Sequence, residues 1–471
     1  MRDHLRFWLN GRRVEIRGER AFTTLSRFLR DDARATGTKI VCEEGDCGAC
    51  TVLIGRPEDG RIVYRPVNSC IQFLFQVDST HVVSVEGLGS AAAPNAVQEA
   101  MIRCHGAQCG YCTPGFIVAM CGLFDSAPGE VTERELRDAL TGNLCRCTGY
   151  EPILKAGLEV DRAAWRRIDE LYPPAPIAAD LEKHRGIPVR ISASGRELAL
   201  PVDLAEATRF KSEHPAAVVV QGGTDFGVWC TKRGFLADGI LGLGALRGLD
   251  RIGLDDGTLS VGGRVSLTAF EEFIRDLLPE LWRMMQLFGS PQIRNAGTLA
   301  GNIANASPIA DTLPFLYVAE ASVELTGTGG SRMVPIGSFY RGYKKLDMAP
   351  DELITRVVIP LPKHDERLRL YKVTKRRHLD ISSFTAGFRM EADGMIRSIR
   401  IAYGGVGPVV LRLKRTEDFL KGKPMALESF EAAGEIAKQE IAPISDVRGS
   451  ADFRLQLAGN VLQKFYYDVS V

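Results

Sequence analysis

The nine residues CEEGDCGAC, from Cys42 to Cys50, place three cysteines and two glycines in one short stretch. The next cysteine is Cys70, so the group has the spacing C-x4-C-x2-C with a distant fourth thiol. Three thiols this close can face one centre only if the backbone curls around it, and Gly45 and Gly48 permit that curl. We therefore expect a loop on the rim of a small sheet.

This triple spacing is typical of plant-type 2Fe-2S ferredoxins. Structural zinc is the alternative, although zinc ligands usually come as two short C-x2-4-C pairs set well apart. Backbone N–H groups that turn inward toward sulfur would help to stabilise the added electron. The first group thus favours an iron–sulfur cluster, with these candidate ligands: Cys42, Cys47, Cys50 and Cys70.

A second group of four thiols has the pattern C-x2-C, then 32 intervening residues, then C-x-C, and comprises Cys109, Cys112, Cys145 and Cys147. By itself this pattern is compatible with zinc or with iron and sulfide. The first pair directly precedes a helix start at Pro114, and the second pair precedes another near Pro152. Thiolates are favoured at helix N-termini by the free N–H groups and the helix dipole. Two adjacent clusters would form a path for electrons.

Composition excludes several other classes of protein. The 471 residues suggest roughly three domains at about 150 residues each, and 45% hydrophobic residues exclude disorder. A formal net charge of +1 provides no field for nucleic acid or anionic lipid. We find no signal-peptide core and no apolar run of about 18 residues, so no membrane partner and a cytoplasmic location are expected.

Eleven cysteines in a reducing cytoplasm are more plausible as metal ligands than as a disulfide framework. Outside the two groups, three scattered cysteines are interpreted as small buried hydrophobes: Cys104, Cys121 and Cys230.

The N-terminal pattern predicts a small sheet wrapped on one helix. Leu5, Phe7 and Leu9 alternate before an Asn10-Gly11 turn, which is a strong hairpin signal. Thr24 is the predicted N-cap of the helix. Further short strands are expected at 51–54, 62–64 and 81–85.

From residue 94 to 165 the apolar period changes to about 3.6, which predicts four helices. They lie near 96–104, from Pro114 to Phe124, after a capping box of Thr132 and Glu135, and from Pro152. Residues 171–186 are rich in proline and alanine and indicate an interdomain linker.

The second half mixes short strands with helices and predicts two domains of mixed α and β structure. Strands are expected at 217–221 and 238–244. Helices are expected near Ser266 to Phe288, at 411–420 and at 430–439.

Two stretches of this half carry candidate binding residues. In VVVQGGTDFG, residues 218–227, an apolar strand runs into a glycine turn that could place N–H groups against a phosphate. An ordinary turn is the alternative, because neither G-x-G-x-x-G nor a phosphate-loop motif is present. Residues 288–311, FGSPQIRNAGTLAGNIANASPIAD, are crowded with small and polar residues. Embedded apolar residues argue against disorder and favour a functional loop.

The segments QCGYCTPGF and NLCRCTGYEPI, together with the ferredoxin-type loop, resemble the molybdenum hydroxylases, the xanthine dehydrogenase and aldehyde oxidase family. The resemblance implies that both cysteine groups hold 2Fe-2S clusters. The two stretches of the second half resemble the family's FAD domain. By that resemblance the FAD-binding residues are Val219, Val220, Gly222, Gly223, Thr224, Asp225, Phe226, Phe288, Thr298, Gly301, Asn302, Asp311 and Lys372.

The implied fold class is multidomain α+β. We expect a β-grasp 2Fe-2S ferredoxin domain at 1–87, a four-helix 2Fe-2S domain at 88–168 and a linker at 169–187. An FAD-binding domain of the vanillyl-alcohol-oxidase type is expected at 188–362. The remaining residues, 363–471, include YGGVGP and VRGSADFRLQL, which resemble the family's small C-terminal α/β domain.

The resemblance also implies a role. The chain would be the small subunit of a split xanthine dehydrogenase, paired with a molybdopterin-binding large subunit in a heterotetramer of two small and two large chains. Electrons from the partner would pass through both clusters to FAD and then to NAD+, the expected acceptor. No residue of this chain need act as an acid, base or nucleophile, so no catalytic residue is expected. The partner's substrate could instead be another N-heterocycle or an aldehyde.

Three further alternatives stay open at this stage. KRRHLDISS, residues 375–383, stands where the family places a segment beside the flavin, and its His378 and Leu379 replace expected acidic character. A quinone, ferredoxin or oxygen acceptor is therefore an alternative to NAD+. A relative with an added 4Fe-4S cluster, 4-hydroxybenzoyl-CoA reductase, is disfavoured because Cys230 is the only cysteine after Cys147. A zinc-binding scaffold is the alternative from another class.

Overall fold

The computed structural model describes residues 1–58, 60–127 and 129–470. The chain divides into two compact units, the first made of residues 1–247 and 289–297 and the second of 248–288 and 298 onward. The short segment 289–297 therefore belongs with the N-terminal half, although the residues on both sides of it belong to the second unit. In the part of the chain so described, no helix is both long and apolar enough to cross a bilayer.

The first unit begins with a five-stranded mixed sheet. Its strands are β1 (His4–Leu9), β2 (Arg12–Arg17), β3 (Thr51–Glu58), β4 (Arg61–Asn68) and β5 (His81–Val83), in the spatial order β2-β1-β5-β3-β4. β1 pairs with β2 across the Asn10-Gly11 turn and runs parallel to β5, so the predicted hairpin is confirmed. Alternate residues of β1 are buried, as the pattern of Leu5, Phe7 and Leu9 predicted.

The helix after Thr24 is shorter than the sequence suggested. Only α1 (Leu25–Arg27) is α-helical, and a π-helical turn at Phe28–Asp32 continues it. Thr24 occupies the N-cap position, but its side chain makes no capping hydrogen bond. Short 3-10 turns lie at Gly18–Phe22, Leu74–Val77 and Val85–Gly87. Residues 39–50, which carry three of the thiols, form neither helix nor strand.

Four helices follow, as predicted: α2 (Ala96–Arg103), α3 (Thr113–Ser126), α4 (Glu133–Ala139) and α5 (Glu151–Leu158). The capping box of Thr132 and Glu135 is present at the start of α4. Two more helices, α6 (Ile168–Leu171) and α7 (Pro174–Arg185), occupy the region expected to be a linker.

Helix α7 is packed against the rest of the first unit. Ile177 and Leu181 are buried in the same apolar cluster as the four helices. The Asp180 carboxylate accepts hydrogen bonds from Arg6, at 2.7 Å, and from the Trp8 indole N–H, at 2.8 Å. The composition of residues 171–186 did not predict a packed helix. Two buried side chains are enough to pack one face of a short helix, and so few do not change the composition noticeably.

A four-stranded sheet completes the first unit. Its strands are β6 (Val189–Ala193), β7 (Arg196–Leu200), β8 (Val218–Val220) and β9 (Gly239–Gly242), in the order β6-β7-β9-β8. Helices α8 (Leu204–Glu213) and α9 (Thr224–Arg233) flank β8 in the sequence. β8 lies at the edge of the sheet, and its last residues lead directly into the glycine turn.

The second unit contains two larger sheets. The first, in the order β10-β11-β16-β12-β13, comprises β10 (Ile252–Asp255), β11 (Thr258–Gly262), β12 (Ser322–Gly327), β13 (Gly330–Pro335) and β16 (Leu353–Pro360). β14 (Tyr340–Gly342) and β15 (Lys345–Leu346) form a separate two-stranded ribbon. The other sheet, in the order β17-β18-β19-β20, comprises β17 (Glu366–Val373), β18 (Phe384–Ala392), β19 (Ile396–Gly404) and β20 (Leu411–Arg412).

The remaining helices are α10 (Leu267–Ile274), α11 (Pro279–Met285), α12 (Pro291–Ala296), α13 (Leu299–Ala304), α14 (Thr312–Val318), α15 (Ile336–Phe339), α16 (Lys414–Leu420), α17 (Leu427–Glu440) and α18 (Ala451–Val469). α12 lies in the first unit and the others in the second. The single helix expected from Ser266 to Phe288 is wrong: Pro279 begins a new helix, because proline cannot continue the hydrogen bonding of the preceding one. Leu411 and Arg412, expected to be helical, are in β20.

One buried histidine in the five-stranded sheet is expected to make its stability depend on pH. His81 is fully buried; its Nε2 accepts from the Gly11 N–H at 3.2 Å, and its Nδ1 lies 2.7 Å from the Tyr64 hydroxyl. Burial lowers the pKa of His81 to about 4. Since a histidine in the unfolded chain has a pKa near 6.5, only the unfolded state gains a proton as pH falls below that value.

We therefore expect the free energy of unfolding to fall by about 2 kcal/mol between pH 7 and pH 5 from this residue. His81→Gln should remove this part of the slope, as measured by urea unfolding at the two pH values. His364→Gln, at an exposed histidine, is the control and should keep it. An unchanged slope in His81→Gln would contradict the assignment.

Candidate cofactor-binding sites

The first four thiols are brought together. The Cys42 sulfur interacts with the thiols of Cys47 and Cys70, and Cys70 also interacts with Cys50. These thiol contacts lower the pKa of Cys42 and raise the pKa of Cys70. Cys50 and Cys70 are each only 2% exposed, whereas Cys42 and Cys47 are half-buried. The group thus has a buried side and a side toward the surface.

The backbone of the loop turns toward sulfur, as the sequence predicted. The N–H of Cys47 donates to the Cys42 sulfur at 3.4 Å. Gly45 and Gly48 have φ values of 78° and 70°, in the left-handed region that favours glycine. Such N–H donors stabilise thiolates and the electron that a bound cluster would carry.

The second four thiols are also close together. The Cys147 thiol donates to the Cys109 sulfur at 3.4 Å, and Cys112 donates to Cys145. Burial, followed by its contact with Cys145, raises the pKa of Cys112 to about 12. Cys112 is the N-cap residue of α3, and Cys147 lies three residues before the N-cap of α5. Both helix starts therefore lie where the sequence placed them.

Two observations support the fit of the second group to a 2Fe-2S cluster. The thiols of the second group lie in two contacting pairs, Cys109 with Cys147 and Cys112 with Cys145, which suits a cluster of two irons that each take two thiolates. Beside the second group, the buried hydroxyl of Thr113 has no hydrogen-bond partner among the described residues and is a donor available to a cluster sulfide.

The two cysteine loops touch through their backbones. The Leu144 N–H, next to Cys145, donates to the Cys47 carbonyl at 3.0 Å. The Asn143 side-chain amide donates to the Gly48 carbonyl at 3.1 Å. A single hydrogen bond between the two backbones therefore connects the residue that carries a thiol of one group to the residue next to a thiol of the other.

The glycine turn after β8 is suited to a dinucleotide phosphate. Gly223 has a φ of 70° and is the N-cap of α9, whose first-turn N–H groups can bind an anion. An added Cβ at Gly222 would lie 2.2 Å from the Ala296 carbonyl oxygen, so the backbone needs glycine there. The buried Gln221 Oε1 accepts no hydrogen bond from any described residue and marks an unsatisfied polar position at the turn.

This turn is joined to the first cysteine group. The side chain of Gln72, two positions after Cys70, donates to the Gly222 carbonyl at 2.9 Å. Gln76 donates to the Gln221 carbonyl at 3.0 Å. The predicted FAD residues of the first unit lie at the end of β8, in this turn and in the first residues of α9: Val219, Val220, Gly222, Gly223, Thr224, Asp225 and Phe226.

Apart from Phe288, the predicted FAD residues of the second unit lie on two consecutive helices, at or near their starts, and on one strand. Thr298 caps α13 by accepting from the Gly301 N–H at 2.9 Å, and Asn302 accepts from the hydroxyl of Thr312 at 2.6 Å. Asp311 occupies the N-cap position of α14 without a capping hydrogen bond from its side chain, and the Lys372 ammonium on β17 lies 2.5 Å from its carboxylate.

Both partners of that ion pair are buried, with side-chain exposures of 5% and 8%. The structure therefore brings Asp311 and Lys372 together, although they are 61 positions apart. Phe288 packs against the main apolar core of this unit.

Four family models match the chain. They are a 2Fe-2S iron–sulfur cluster binding domain at 7–71, a second [2Fe-2S] binding domain at 84–158, the FAD binding domain in molybdopterin dehydrogenase at 194–362, and the CO dehydrogenase flavoprotein C-terminal domain at 369–469.

Comparison with individual proteins agrees with the family models. The chain is 31% identical to bovine aldehyde oxidase 1 and 28% identical to xanthine dehydrogenase of Emericella nidulans, over 99% of its own length in each case. It spans only 39% of the length of these two relatives. A carbon monoxide dehydrogenase chain of Hydrogenophaga pseudoflava matches with a TM-score of 0.55 and 25% identity, covering 59% of this chain and 96% of that one.

Two 2Fe-2S-binding domains followed by an FAD-binding domain define an iron–sulfur flavoprotein. The chain belongs to the molybdenum hydroxylase family, as its iron–sulfur and flavin-binding part. The predicted fold class is thereby confirmed, including the four-helix iron–sulfur domain and the separate C-terminal flavoprotein domain.

Sequence reasoning missed several polar residues that the structure places at these sites: Thr113, Asn143, Gln221 and Gln292. Each is a single polar side chain without a spacing signal of its own. Their positions inside quoted segments, such as Asn143 at the start of NLCRC, were the only indication.

Proposed function

We propose that this chain is the electron-transfer subunit of a molybdenum hydroxylase, with xanthine dehydrogenase as the proposed activity. In that activity xanthine, NAD+ and water give urate and NADH. A molybdopterin-binding partner would supply the electrons, and two 2Fe-2S clusters and FAD on this chain would transfer them to NAD+. The proposed ligands and FAD residues are those named from the sequence.

The hydrogen-bonded contact between the three predicted sites of the first unit carries this proposal. The Leu144 N–H to Cys47 carbonyl bond joins the two thiol groups, and the Gln72 to Gly222 bond joins the first group to the glycine turn. The same protein region thus offers continuous short connections from the second thiol group to the turn. A zinc-binding scaffold would not require the two thiol groups and the glycine turn to be connected in this sequence.

When bound, FAD can exchange two electrons as a hydride, whereas each 2Fe-2S cluster carries one electron at a time. The protein's contribution is to position the cofactors and to adjust their electrostatic surroundings. Buried Cys50 and Cys70 keep water from one side of the first cluster, and the Cys47 N–H stabilises thiolate charge on Cys42. No side chain of this unit need take a proton from the substrate.

The second thiol group offers a place for the partner. Cys109 and Cys147 are exposed, and two aromatic side chains near them, Tyr111 and Tyr150, are 50% and 39% exposed. Exposed aromatics are typical of protein interfaces. We propose that the molybdopterin-binding chain covers this surface, in an assembly of two small and two large chains.

The segment 375–383 is the part of the chain where the acceptor is expected to approach. In the segment 375–383, the Asp380 carboxylate accepts from the N–H groups of Lys375 and Arg376, both at 2.9 Å, so the loop is internally ordered. NAD+ is the proposed acceptor. An aldehyde is the second candidate substrate, favoured by the 31% identity to aldehyde oxidase 1 against 28% to the xanthine dehydrogenase.

The proposal is tested on the chain purified anaerobically, by measuring iron, acid-labile sulfide, FAD and the bleaching of visible absorbance by NADH. We expect about four irons and one FAD per chain, from two 2Fe-2S clusters and one flavin, and bleaching by NADH. Zinc without flavin would contradict the whole proposal. A full cofactor content that NADH does not reduce would contradict only the NAD+ step.

A further inference from the structure

Helix α12 lies within the matched FAD domain but packs against both cysteine loops. It belongs to the first unit, although the flanking residues do not. Ile293 packs against the buried cluster of Cys50, Cys70 and Ile71. Asn295 donates to the Pro66 carbonyl on β4 at 2.8 Å. A helix of the flavin-binding sequence therefore contacts the iron–sulfur region directly.

Gln292 on this helix lies at the contact between the two cysteine loops. Its side chain is fully buried, and its amide nitrogen donates to the Asn143 side-chain oxygen at 2.9 Å. The Asn143 amide nitrogen donates in turn to the Gly48 carbonyl at 3.1 Å. Because the Asn143 nitrogen is used on Gly48, its oxygen faces Gln292, and Gln292 must present its nitrogen there.

This hydrogen-bonded chain spans the two groups. Gly48 lies between Cys47 and Cys50, and Asn143 lies two positions before Cys145. An added Cβ at Gly142 would lie only 1.9 Å from the Gln292 Oε1, so the amide is also packed tightly against the second loop. Loss of the Gln292 donor would leave a buried acceptor on Asn143 without a partner, which is costly in an apolar interior.

We propose that Gln292 is a positioning residue for electron transfer between the two clusters. It holds Asn143, and through it the Gly48 carbonyl, so that the two cysteine loops keep a fixed separation. This inference rests on the proposed function, since it requires both clusters to be present. Gln292 lies within the sequence matched as the FAD-binding domain, yet its proposed role concerns electron transfer between the two clusters, a step that does not involve flavin.

The test compares Gln292→Met with Gln456→Met in the holoprotein. Methionine has nearly the same length as glutamine but cannot donate a hydrogen bond. Gln456 makes the same kind of bond, to Asn460 at 3.1 Å, but on an exposed face of α18, so it is a matched control. The two readouts are the magnetic splitting between the reduced clusters and the rate of inter-cluster electron transfer after flash photoreduction.

We expect Gln292→Met to keep about four irons, to show an altered splitting and to transfer electrons several-fold more slowly, because electron tunnelling weakens steeply as the distance between the two clusters grows. Gln456→Met should match the unmodified protein in both readouts. Wild-type splitting and rate in Gln292→Met would overturn the inference.

A second variant keeps the test decisive if Gln292→Met loses iron. Gln292→Asn retains the amide but is one methylene shorter, so it should load both clusters and show a change of the same kind. Wild-type readouts in Gln292→Asn would likewise overturn the inference. If the unmodified protein itself lacks two clusters, the proposed function fails, and this outcome is distinguishable from failure of the positioning role alone.

Discussion

Replacement of Cys50 by serine is expected to lower the iron content from about four atoms per chain to about two. Iron–sulfur clusters are held by thiolates, and a serine hydroxyl is a poor substitute for such a soft ligand. Cys50 is 2% exposed and packs with Cys70 and Ile293, so no other thiol or water has space to replace it. The second group should keep its two irons.

Iron and acid-labile sulfide analysis, with the visible spectrum, measures this effect. Cys230→Ser is the matched control, because Cys230 is half-buried and belongs to neither group. It should retain about four irons. A Cys50→Ser protein that still held four irons and the corresponding sulfide would show that Cys50 is not a ligand.

Gly48→Ala is expected to lower the free energy of unfolding by about 2–5 kcal/mol, through the contact between the two cysteine loops. Gly48 has a φ of 70°, where an L-residue costs about 1–2 kcal/mol. A Cβ there would also lie 2.2 Å from the Gly142 carbonyl oxygen, and such overpacking adds about 1–3 kcal/mol. The clash is with backbone, so it can be relieved only by moving one loop away from the other.

Gly195→Ala separates the two causes. Gly195 has a φ of 75°, but an added Cβ there would meet nothing within 4 Å. It should therefore cost only the backbone part, about 1–2 kcal/mol. Thermal unfolding followed by the loss of visible absorbance compares the two variants. Equal shifts in Tm would mean that the Gly48 contact with Gly142 does not contribute to stability.

Much of the local structure followed from short-range patterns. The Asn10-Gly11 hairpin, the capping box of Thr132 and Glu135, and the helix start at Pro114 are each determined by a few neighbouring residues. Their geometry depends on backbone conformations and hydrogen bonds that those residues themselves supply. Such features are therefore visible in the sequence.

The errors occurred where a distant contact or a single break decided the outcome. Pro279 divides the expected helix from Ser266 to Phe288, although the apolar periodicity continues on both sides. In the expected linker, Asp180 is held by Arg6 and Trp8, which are more than 170 positions away. Composition carries no record of such pairings.

The sequence by itself indicated the cofactors that are proposed for this protein. Eight thiols at two characteristic spacings, with glycines between them, already indicate where iron and sulfide would be held, because ligand spacing within a loop is a local property. Tertiary structure alone decided how these sites are joined. Gln292 and Asn143 meet across 149 positions, and Gln72 meets Gly222 across 150. Contacts of that kind arise from the packing of whole elements against one another, to which no short pattern in the chain corresponds.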